Sequence, residues 1–309
     1  MKTWVTGGGG FLGSHIVEAL AALGRSVTVI DDFSTGREAN LAAAGERTKI
    51  CRQSLLDPEV ERLLGVERPG VIFHLAGDAL VSRSVADPRG DCDRNLLATL
   101  ALLEAVRRVS PESKVLFAST GAVYGEHAER PFQETDGVCP ISPYAVAKLA
   151  AERYCYAYAH TYGLRTCSLR LFSVYGPRQE KQVVYDLIRK LWARPEELSL
   201  FGDGTEERDF SHALNIVDAF LLAEEKAGFG GEVFNVAGDE TVSIRTLAEM
   251  LRDAMGTQSR LMFSGQRRPG DSRRWVADTT RLRALGYRPR VKLRDGLRDT
   301  IEWYLRSQE

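Results

Sequence analysis

Tyr144 and Lys148 are separated by three residues, a spacing that places both side chains on one face of a helix. A nearby ammonium favours the phenolate form of tyrosine, so this pair predicts a Tyr144 pKa lowered from about 10 toward neutral pH. A tyrosine with such a pKa can act as a general base. The spacing by itself is common, and a surface Tyr/Lys pair is the alternative. Its position at the start of a helical segment, directly after Pro143, favours catalysis.

Three glycines near the N-terminus, Gly7, Gly10 and Gly13, have the spacing G-x-x-G-x-x-G and follow a short apolar run. A sharp turn needs a residue that tolerates positive φ, and close approach of a pyrophosphate needs a residue without Cβ. The helical pattern over 12–23 would point its free N–H groups at the phosphates. The next β-branched run ends in Asp31, which can accept hydrogen bonds from the adenosine ribose and would repel a 2′-phosphate. Together these features predict an NAD site.

Strands and helices alternate through the first 170 residues, as the continuous apolar run at 71–76 illustrates for a strand buried on both faces. This alternation predicts an α/β fold, a doubly wound parallel Rossmann sheet with a smaller mixed α/β C-terminal substrate lobe. The predicted domains are 1–172, joined by part of 209–238, and the lobe 173–309. The predicted strands are 2–6, 26–31, 48–52, 71–76, 114–119, 165–172, 198–201 and 233–236. The predicted helices are 12–23, 57–64, 91–109, 144–162, 183–192, 215–226, 244–255 and 293–305.

The composition of the 309-residue chain is that of an ordinary soluble protein, with 44% hydrophobic and 27% charged residues. A net charge of −1 and the lack of any reading motif argue against a nucleic-acid partner. The five cysteines are scattered without C-x-x-C spacing, so they predict neither a metal site nor a disulfide framework. No apolar run is long enough to span a bilayer, and the chain begins directly with a strand. These features predict a cytoplasmic protein that contacts no membrane.

The chain resembles the extended short-chain dehydrogenase/reductase family, and within it the NAD-dependent sugar-nucleotide epimerases and dehydratases of the UDP-glucose 4-epimerase kind. The resemblance covers essentially the whole sequence. It rests on the segments 6–15, 74–77, 102–105, 119–125, 142–148, 169–178, 202–204, 208–210 and 268–271, and on Asn95.

The resemblance implies a role for each matching residue. Thr120 would bond the oxygen of the reacting sugar carbon, Tyr144 would be the base, and Lys148 would support it and hold the nicotinamide ribose. Asn95 would help to order this catalytic group. The implied cofactor contacts, besides Tyr144 and Lys148, are Gly7, Gly10, Phe11, Leu12, Gly13, Asp31, Asp32, Ser34, Thr35, Gly36, Leu55, Leu75, Ala76 and Gly77.

The resemblance also implies a site for a nucleoside-diphosphate sugar. Arg208 and Arg268 would clamp the diphosphate, because guanidinium forks match such an anion. Asp271 would bond the nucleoside ribose, and Phe201 would lie on the base. The complete implied substrate set is Val81, Ser82, Thr120, Ser173, Phe201, Arg208, Arg268, Asp271 and Trp275.

Departures from the family pattern bear on the reaction. Dehydratases carry an acidic pair directly after the catalytic threonine, where this chain has Gly121 and Ala122, so epimerisation is favoured over 4,6-dehydration. Ser173 stands where many epimerases have asparagine. The bulk of Trp275 predicts a pocket without room for an N-acetyl group, and a surface tryptophan stacked on an arginine is the alternative. UDP-glucose and UDP-galactose are the default substrates. A 4-ketosugar reductase and an inactive NAD-sensing regulator are the alternatives. Relatives pair the helices at 91–109 and 144–162, which predicts a homodimer.

Overall fold

The computed structural model describes residues 1–126, 130–238, 240–266 and 273–308. The strands are β1 (Lys2–Thr6), β2 (Ser26–Asp31), β3 (Thr48–Arg52), β4 (Val71–His74), β5 (Lys114–Thr120), β6 (Arg165–Leu171), β7 (Val174–Tyr175), β8 (Glu197–Leu200), β9 (Glu207–Asp209), β10 (Ser211–His212), β11 (Gly230–Val236), β12 (Thr241–Ser243), β13 (Arg260–Phe263) and β14 (Arg274–Trp275). The helices are α1 (Phe11–Ala22), α2 (Pro58–Glu67), α3 (Val81–Ala86), α4 (Pro88–Cys92), α5 (Ala98–Val109), α6 (Pro143–Tyr162), α7 (Gln182–Ala193), α8 (Ala213–Lys226), α9 (Ile244–Ala254), α10 (Thr280–Ala284) and α11 (Leu293–Arg306).

Seven parallel strands form the main sheet in the order β11-β6-β5-β4-β1-β2-β3. Every residue of β4 is buried, and its first three residues, Val71, Ile72 and Phe73, are all apolar rather than alternating with polar ones. Helices α1 and α8 pack on one face of the sheet, and α2, α5 and α6 pack on the other. This arrangement confirms the predicted doubly wound α/β fold. Because the strands are parallel, their carboxyl ends share one edge, where ligands bind in such sheets.

Two segments from the C-terminal half of the chain belong to this main core. Strand β11 forms the edge of the sheet beside β6, and α8 contributes Ile216 and Phe220 to the core that also holds α1. Leu282 of α10 and Tyr287 pack into the same core. A separate hydrophobic cluster joins α7, α9, α11 and β8. We therefore propose a domain division in which the Rossmann domain takes 1–172, 213–236 and 280–287, and the substrate lobe takes most of the remainder.

The helix predicted over 91–109 is not continuous. Helix α4 ends at Cys92, a π turn follows at Asp93–Leu97, and α5 continues from Ala98. A π turn inserts one residue into the helix and is often found at functional sites. Among the residues described by the structure, no helix is long and apolar enough to cross a membrane.

Candidate active site

The turn between β1 and α1 requires its glycines. Gly7 has φ of +70°, and a Cβ there would lie 2.6 Å from the Ala76 nitrogen. A Cβ on Gly13 would overlap the carbonyl oxygen of Gly7, so helix and turn pack backbone against backbone. Gly10 precedes α1, and no side chain caps the first turn of that helix. The N-terminus of α1 thus leaves backbone donors available for a pyrophosphate, and the turn fits a dinucleotide.

Asp31 ends β2 with its side chain buried beside this turn. Its Oδ2 accepts from the Gly9 nitrogen and its Oδ1 from the Phe33 nitrogen, each at 2.8 Å. Burial raises the pKa of this carboxyl, and the two backbone donors oppose that effect. Since each carboxylate oxygen has a second lone pair, Asp31 can still accept from ribose hydroxyls. The segment after it folds back onto the turn, because the Arg37 nitrogen donates to the Gly9 carbonyl at 2.9 Å.

The other predicted cofactor residues lie at the start of α1, in the segment after β2, in the loop after β4 and, for Leu55, in the core. The Leu75 nitrogen donates to the Thr6 carbonyl at 3.0 Å, and this bond holds the loop after β4 against the turn. Leu55 differs, since it is buried in the hydrophobic cluster that contains Trp4 and Ile30. Phe11 and Leu12 begin α1, and a Cβ on Gly36 would lie 2.8 Å from the Gly9 carbonyl carbon, so Gly36 packs against the turn. Asp32, Ser34 and Thr35 follow β2, and Ala76 and Gly77 follow β4.

Thr120 and Tyr144 meet at the carboxyl end of β5. Thr120 is the last residue of that strand, and its hydroxyl lies near enough to the Tyr144 phenol to lower the pKa of that phenol. Tyr144 is the second residue of α6, whose N-cap Ser142 accepts from the Ala145 nitrogen at 3.2 Å. Lys148 follows one turn later, and its Nζ lies 4.2 Å from the centre of the Phe117 ring. The structure thus brings the predicted catalytic residues of β5 and α6 to one edge of the sheet.

The predicted direction of the Tyr144 pKa shift is wrong for the protein without cofactor. Burial raises the pKa of Tyr144 to about 12, although the nearby Thr120 hydroxyl opposes the increase. The carboxylates of Asp91 and Asp78 raise it further. Burial also lowers the pKa of Lys148 to about 8. Removing both groups from water disfavours their charged forms, and this outweighs the attraction expected from their spacing.

Asn95 bonds the loop after β4 and not the phenol or the amine. Its Oδ1 accepts from the Asp78 nitrogen at 3.1 Å, and its Nδ2 donates to the Asp78 carbonyl at 3.1 Å. The same Nδ2 donates to Asp91 Oδ1 at 2.9 Å. A Cβ on Gly77 would meet Asn95 Oδ1, so this position requires glycine. Asn95 therefore orders the loop that borders the cofactor turn.

A buried hydrogen-bond chain that the sequence did not reveal connects the turn to Asn95. Thr6 Oγ1 lies 2.7 Å from His74 Nδ1, and Thr99 Oγ1 lies 2.9 Å from His74 Nε2. Because Thr99 donates to the Asn95 carbonyl at 2.7 Å, it accepts from His74 Nε2, and Nδ1 accepts from Thr6. Burial lowers the pKa of His74 to about 3, so the ring is neutral. The apolar run around His74 was the available signal, since a histidine there must be satisfied internally.

Arg208 and Trp275 are neighbours in the substrate lobe. Strands β9 and β14 pair so that these residues are partners, and the Arg208 guanidinium lies 5.8 Å from the Trp275 ring centre. The Trp275 ring also meets Phe172 edge-on at 6.5 Å. Ser173 follows Phe172 with a positive φ of 33°, and its carbonyl accepts from the Ser211 nitrogen at 3.1 Å. Arg208, Trp275 and Ser173 thus lie close to the end of β6.

The remaining predicted substrate residues differ in how the structure places them. Val81 and Ser82 begin α3 and are exposed. Phe201 follows β8 and is also exposed, at 49%. Arg268 and Asp271 lie outside the described residues.

The segment after β7 contacts α1, although the sequence suggested no role for it. His15 Nε2 lies 3.0 Å from the Pro177 carbonyl oxygen. Arg178 donates to Ser14 Oγ at 3.1 Å and to Glu18 Oε1 at 2.5 Å. These contacts join the start of the substrate lobe to the helix that follows the glycine turn.

A parallel dinucleotide-binding sheet with a Thr120, Tyr144 and Lys148 group at its carboxyl edge defines an oxidoreductase-type site of the short-chain dehydrogenase/reductase class. The chain belongs to the NAD dependent epimerase/dehydratase family, whose family model matches residues 3–237. The predicted family, the NAD cofactor and the assignment as a sugar-nucleotide epimerase type of enzyme are confirmed.

Three similar proteins illustrate the relationship. The UDP-glucose 4-epimerase of Mycolicibacterium smegmatis is 37% identical over 310 residues, covering 98% of each chain. The structure of UDP-glucose 4-epimerase from Thermotoga maritima with UDP-glucose has a TM-score of 0.92 and 36% identity, covering 100% of each chain. That of UDP-N-acetylglucosamine 4-epimerase from Methanobrevibacter ruminantium M1 with UDP-N-acetylmuramic acid has a TM-score of 0.92 and 34% identity, covering 100% of this chain and 99% of that one. The two structures, one with UDP-glucose and one with UDP-N-acetylmuramic acid, have the same TM-score to this chain. Fold similarity therefore does not identify the sugar of this chain's substrate, which must be argued from the site.

Proposed function

We propose that this enzyme is a 4-epimerase of UDP-glucose and UDP-galactose. The observation that carries the proposal is the meeting of Thr120 and Tyr144 at the carboxyl edge of an NAD-binding sheet, with Gly121 and Ala122 where a dehydratase has its acidic pair. A Cβ on Gly121 would lie 2.7 Å from the Phe172 ring, so this position has no room for a carboxylate side chain. A 4,6-dehydratase needs such an acid to expel the C6 hydroxyl, which supports epimerisation.

The protein's own residues supply the proton chemistry. The Tyr144 phenolate takes the proton of the C4 hydroxyl as C4 becomes a ketone, and Thr120 bonds the same oxygen. NAD⁺, when bound, would supply the hydride acceptor and donor for C4 and a positive charge that favours the Tyr144 phenolate. Lys148 stabilises the phenolate as an ammonium. Return of the proton from Tyr144 to the oxygen, after the ketone has turned in the pocket, gives the inverted alcohol.

Arg208 supports an anionic anchor for the substrate. It is 8% exposed on β9, and its Nη1 donates to the Glu207 carbonyl at 2.8 Å. A buried guanidinium near the end of β6 suits a diphosphate, which holds the nucleotide while the sugar rotates. Arg268 and Asp271 are proposed to complete this anchor from the sequence pattern alone.

Trp275 supports a hexose without an N-acetyl group. Its ring is half-buried between Phe172 and Arg208, and the indole nitrogen is buried without a hydrogen-bond partner among the described residues. A large ring fixed between two side chains limits the space beside the sugar. An unpaired indole donor is also available for a sugar hydroxyl.

The proposal is tested by incubating the purified protein with UDP-, dTDP-, GDP- and CDP-sugars and identifying products by NMR. We expect interconversion of UDP-glucose and UDP-galactose without net change in NADH. Tyr144→Phe should abolish turnover, whereas Tyr156→Phe, an exposed tyrosine on the same helix, should leave it unchanged. Stoichiometric consumption of NADH would instead identify a ketosugar reductase. A fully active Tyr144→Phe variant would refute the assigned base.

We also propose a homodimer formed through α5, α6 and the preceding π turn. Leu97 and Tyr154 are exposed at 41% and 40%, and Leu100 and Leu149 are half-buried, so they can face a partner. Leu103 and Tyr158 of the same two helices are buried in the chain's own core and do not contribute to this surface. Sedimentation equilibrium at twice the monomer mass would support the dimer, and a monomer would refute it.

A further inference from the structure

A buried polar network lies beneath the proposed catalytic residues and links a helix to two strands. The side chains of Glu152 on α6 and Arg170 on β6 are each 1% exposed. Arg170 donates to Glu152 through Nη2–Oε1 at 2.6 Å and Nε–Oε2 at 2.9 Å. Ser119 Oγ on β5 donates to the same carboxylate at 2.7 Å. Glu152 therefore ties α6 to both β5 and β6.

The position of this carboxylate relates it to catalysis. Glu152 lies one turn after Lys148 and two turns after Tyr144, on the same buried face of α6. Ser119 directly precedes Thr120 at the end of β5. The Ser119–Glu152 bond thus joins the strand that carries Thr120 to the helix that carries the base. Any slip of α6 along β5 would change the position of the Tyr144 phenol relative to the Thr120 hydroxyl.

The network continues from Arg170 toward the substrate lobe. Arg170 Nη1 donates to the Tyr124 hydroxyl at 2.7 Å, and that hydroxyl donates to Asn235 Oδ1 at 2.8 Å. Asn235 Nδ2 donates to the Asp278 carbonyl at 3.3 Å, three residues after Trp275. The guanidinium therefore connects the catalytic helix with the segment that borders the proposed sugar pocket.

We propose that Glu152 and Arg170 are positioning residues for the epimerisation, which hold Tyr144 and Lys148 in register with Thr120. This inference rests on the proposed roles of those three residues. A buried ion pair adds little stability over apolar side chains of similar volume, because desolvation offsets the attraction. The two parallel hydrogen bonds from the Arg170 guanidinium to the Glu152 carboxylate do fix the position of α6 relative to β6. A catalytic group displaced by about 1 Å can lose about a hundredfold in rate, so fixed geometry is the gain expected here.

The first test changes geometry while keeping the charges. Glu152→Asp keeps the carboxylate but shortens its reach by one methylene, and Ser119→Ala removes the bond between strand and helix. For each folded, NAD-loaded variant we expect kcat for UDP-galactose to fall about tenfold or more, with KM within about twofold. NAD content, read by absorbance after denaturation, should equal that of the wild type.

The second test changes charge while keeping shape. Glu152→Gln removes a negative charge near Lys148 but leaves Arg170 charged, so the ammonium of Lys148 loses support. The alkaline limb of the kcat–pH profile should therefore move to lower pH. A purely structural role would leave that limb in place. If Glu152→Gln fails to fold, Glu152→Leu with Arg170→Met removes both charges, and the limb should again move lower. The titratable groups that face Lys148 from β4, α4 and its own helix are His74, Asp91, Glu152 and Cys155.

Tyr158→Phe is the matched control. Tyr158 also lies on α6, and its hydroxyl donates to Glu104 Oε1 on α5 at 2.6 Å, away from β5. Its loss should leave kcat and the pH profile unchanged. The inference would be overturned if Ser119→Ala and Glu152→Asp both keep the wild-type kcat. It would also be overturned if the alkaline limb of the kcat–pH profile does not move when the Glu152 charge is removed. A fully active Tyr144→Phe would instead refute the proposed function.

Discussion

We expect the buried positive charge of Lys148 to destabilise the folded protein. It is 5% exposed, and burial lowers its pKa from 10.5 to about 8. At about 1.4 kcal/mol per pKa unit, holding this charge at pH 7 costs about 3 kcal/mol relative to the unfolded chain. The cation–π interaction between Lys148 Nζ and the Phe117 ring, 4.2 Å away, offsets about 1 kcal/mol of this cost. Lys148→Met fills a similar volume without charge and should raise the free energy of unfolding by about 2 kcal/mol at pH 7.

The sign of the pH dependence follows from the lowered pKa. Below pH 8 both the folded and the unfolded forms bind the Lys148 proton, and the full penalty is present. Between pH 8 and 10.5 the unfolded chain binds more protons here, so the wild type gains stability as pH rises. The variant lacks this amine and this gain. Its advantage of about 2 kcal/mol at pH 7 should therefore fall to near zero by about pH 9.5.

Urea unfolding of NAD-free protein, followed by tryptophan fluorescence at both pH values, measures this advantage without the stabilisation that bound cofactor adds. Lys114→Met is the matched control. Lys114 also lies over an aromatic ring, Phe229 at 4.5 Å, but its Nζ donates to the Glu224 carbonyl at 2.8 Å. We expect that control to lower stability. If Lys148→Met is less stable than the wild type at pH 7, or if its advantage does not change with pH, the reasoning is refuted.

Three further predictions concern the cofactor and the sugar. Gly13→Ala should give protein without bound NAD, measured by absorbance after denaturation, because the new Cβ would overlap the Gly7 carbonyl; full NAD content would contradict the packing argument. Asp31→Asn should weaken NAD⁺ binding about tenfold and narrow the preference over NADP⁺ in calorimetric titrations, since a charged acceptor is lost; an unchanged preference would exclude Asp31 as the ribose ligand. Trp275→Ser should raise kcat/KM for UDP-N-acetylglucosamine about tenfold or more by removing the ring beside Phe172; unchanged discrimination would show that another residue limits the pocket.

The main sheet could be predicted from the sequence because strands buried on both faces consist of nearly continuous apolar or β-branched runs. The apolar run that contains β4 and the β-branched run of β2 have no other explanation in a chain of this composition. The strands of the substrate lobe are harder to detect in the sequence. Strands β7, β10 and β14 have two residues each, which is shorter than any periodic pattern. Their pairing is decided by tertiary contacts.

The π turn before α5 shows a second limit. Leu96, Leu100 and Leu103 repeat at helical spacing, and this pattern predicts one continuous helix. The extra residue of the π turn changes which side chains face the loop after β4, and Asn95 lies within it. Asn95 could be singled out by resemblance, but its bonds to Asp78 depend on a local geometry that hydrophobic periodicity does not encode.

Glu152 was detectable in principle, since it continues the four-residue spacing of Tyr144 and Lys148 along a face that is otherwise apolar. A carboxylate in that place needs a buried cation, and Arg170 in the next strand is the available one. The same spacing did not predict proton affinities. The spacing determines how close the Tyr144 phenol and the Lys148 amine can come, whereas their pKa values depend on how far burial removes both groups from water. Burial moves them to about 12 and about 8, so the ammonium alone does not make Tyr144 a base at neutral pH. The proposed mechanism therefore requires a further positive charge in the site, and we propose that bound NAD⁺ would supply it.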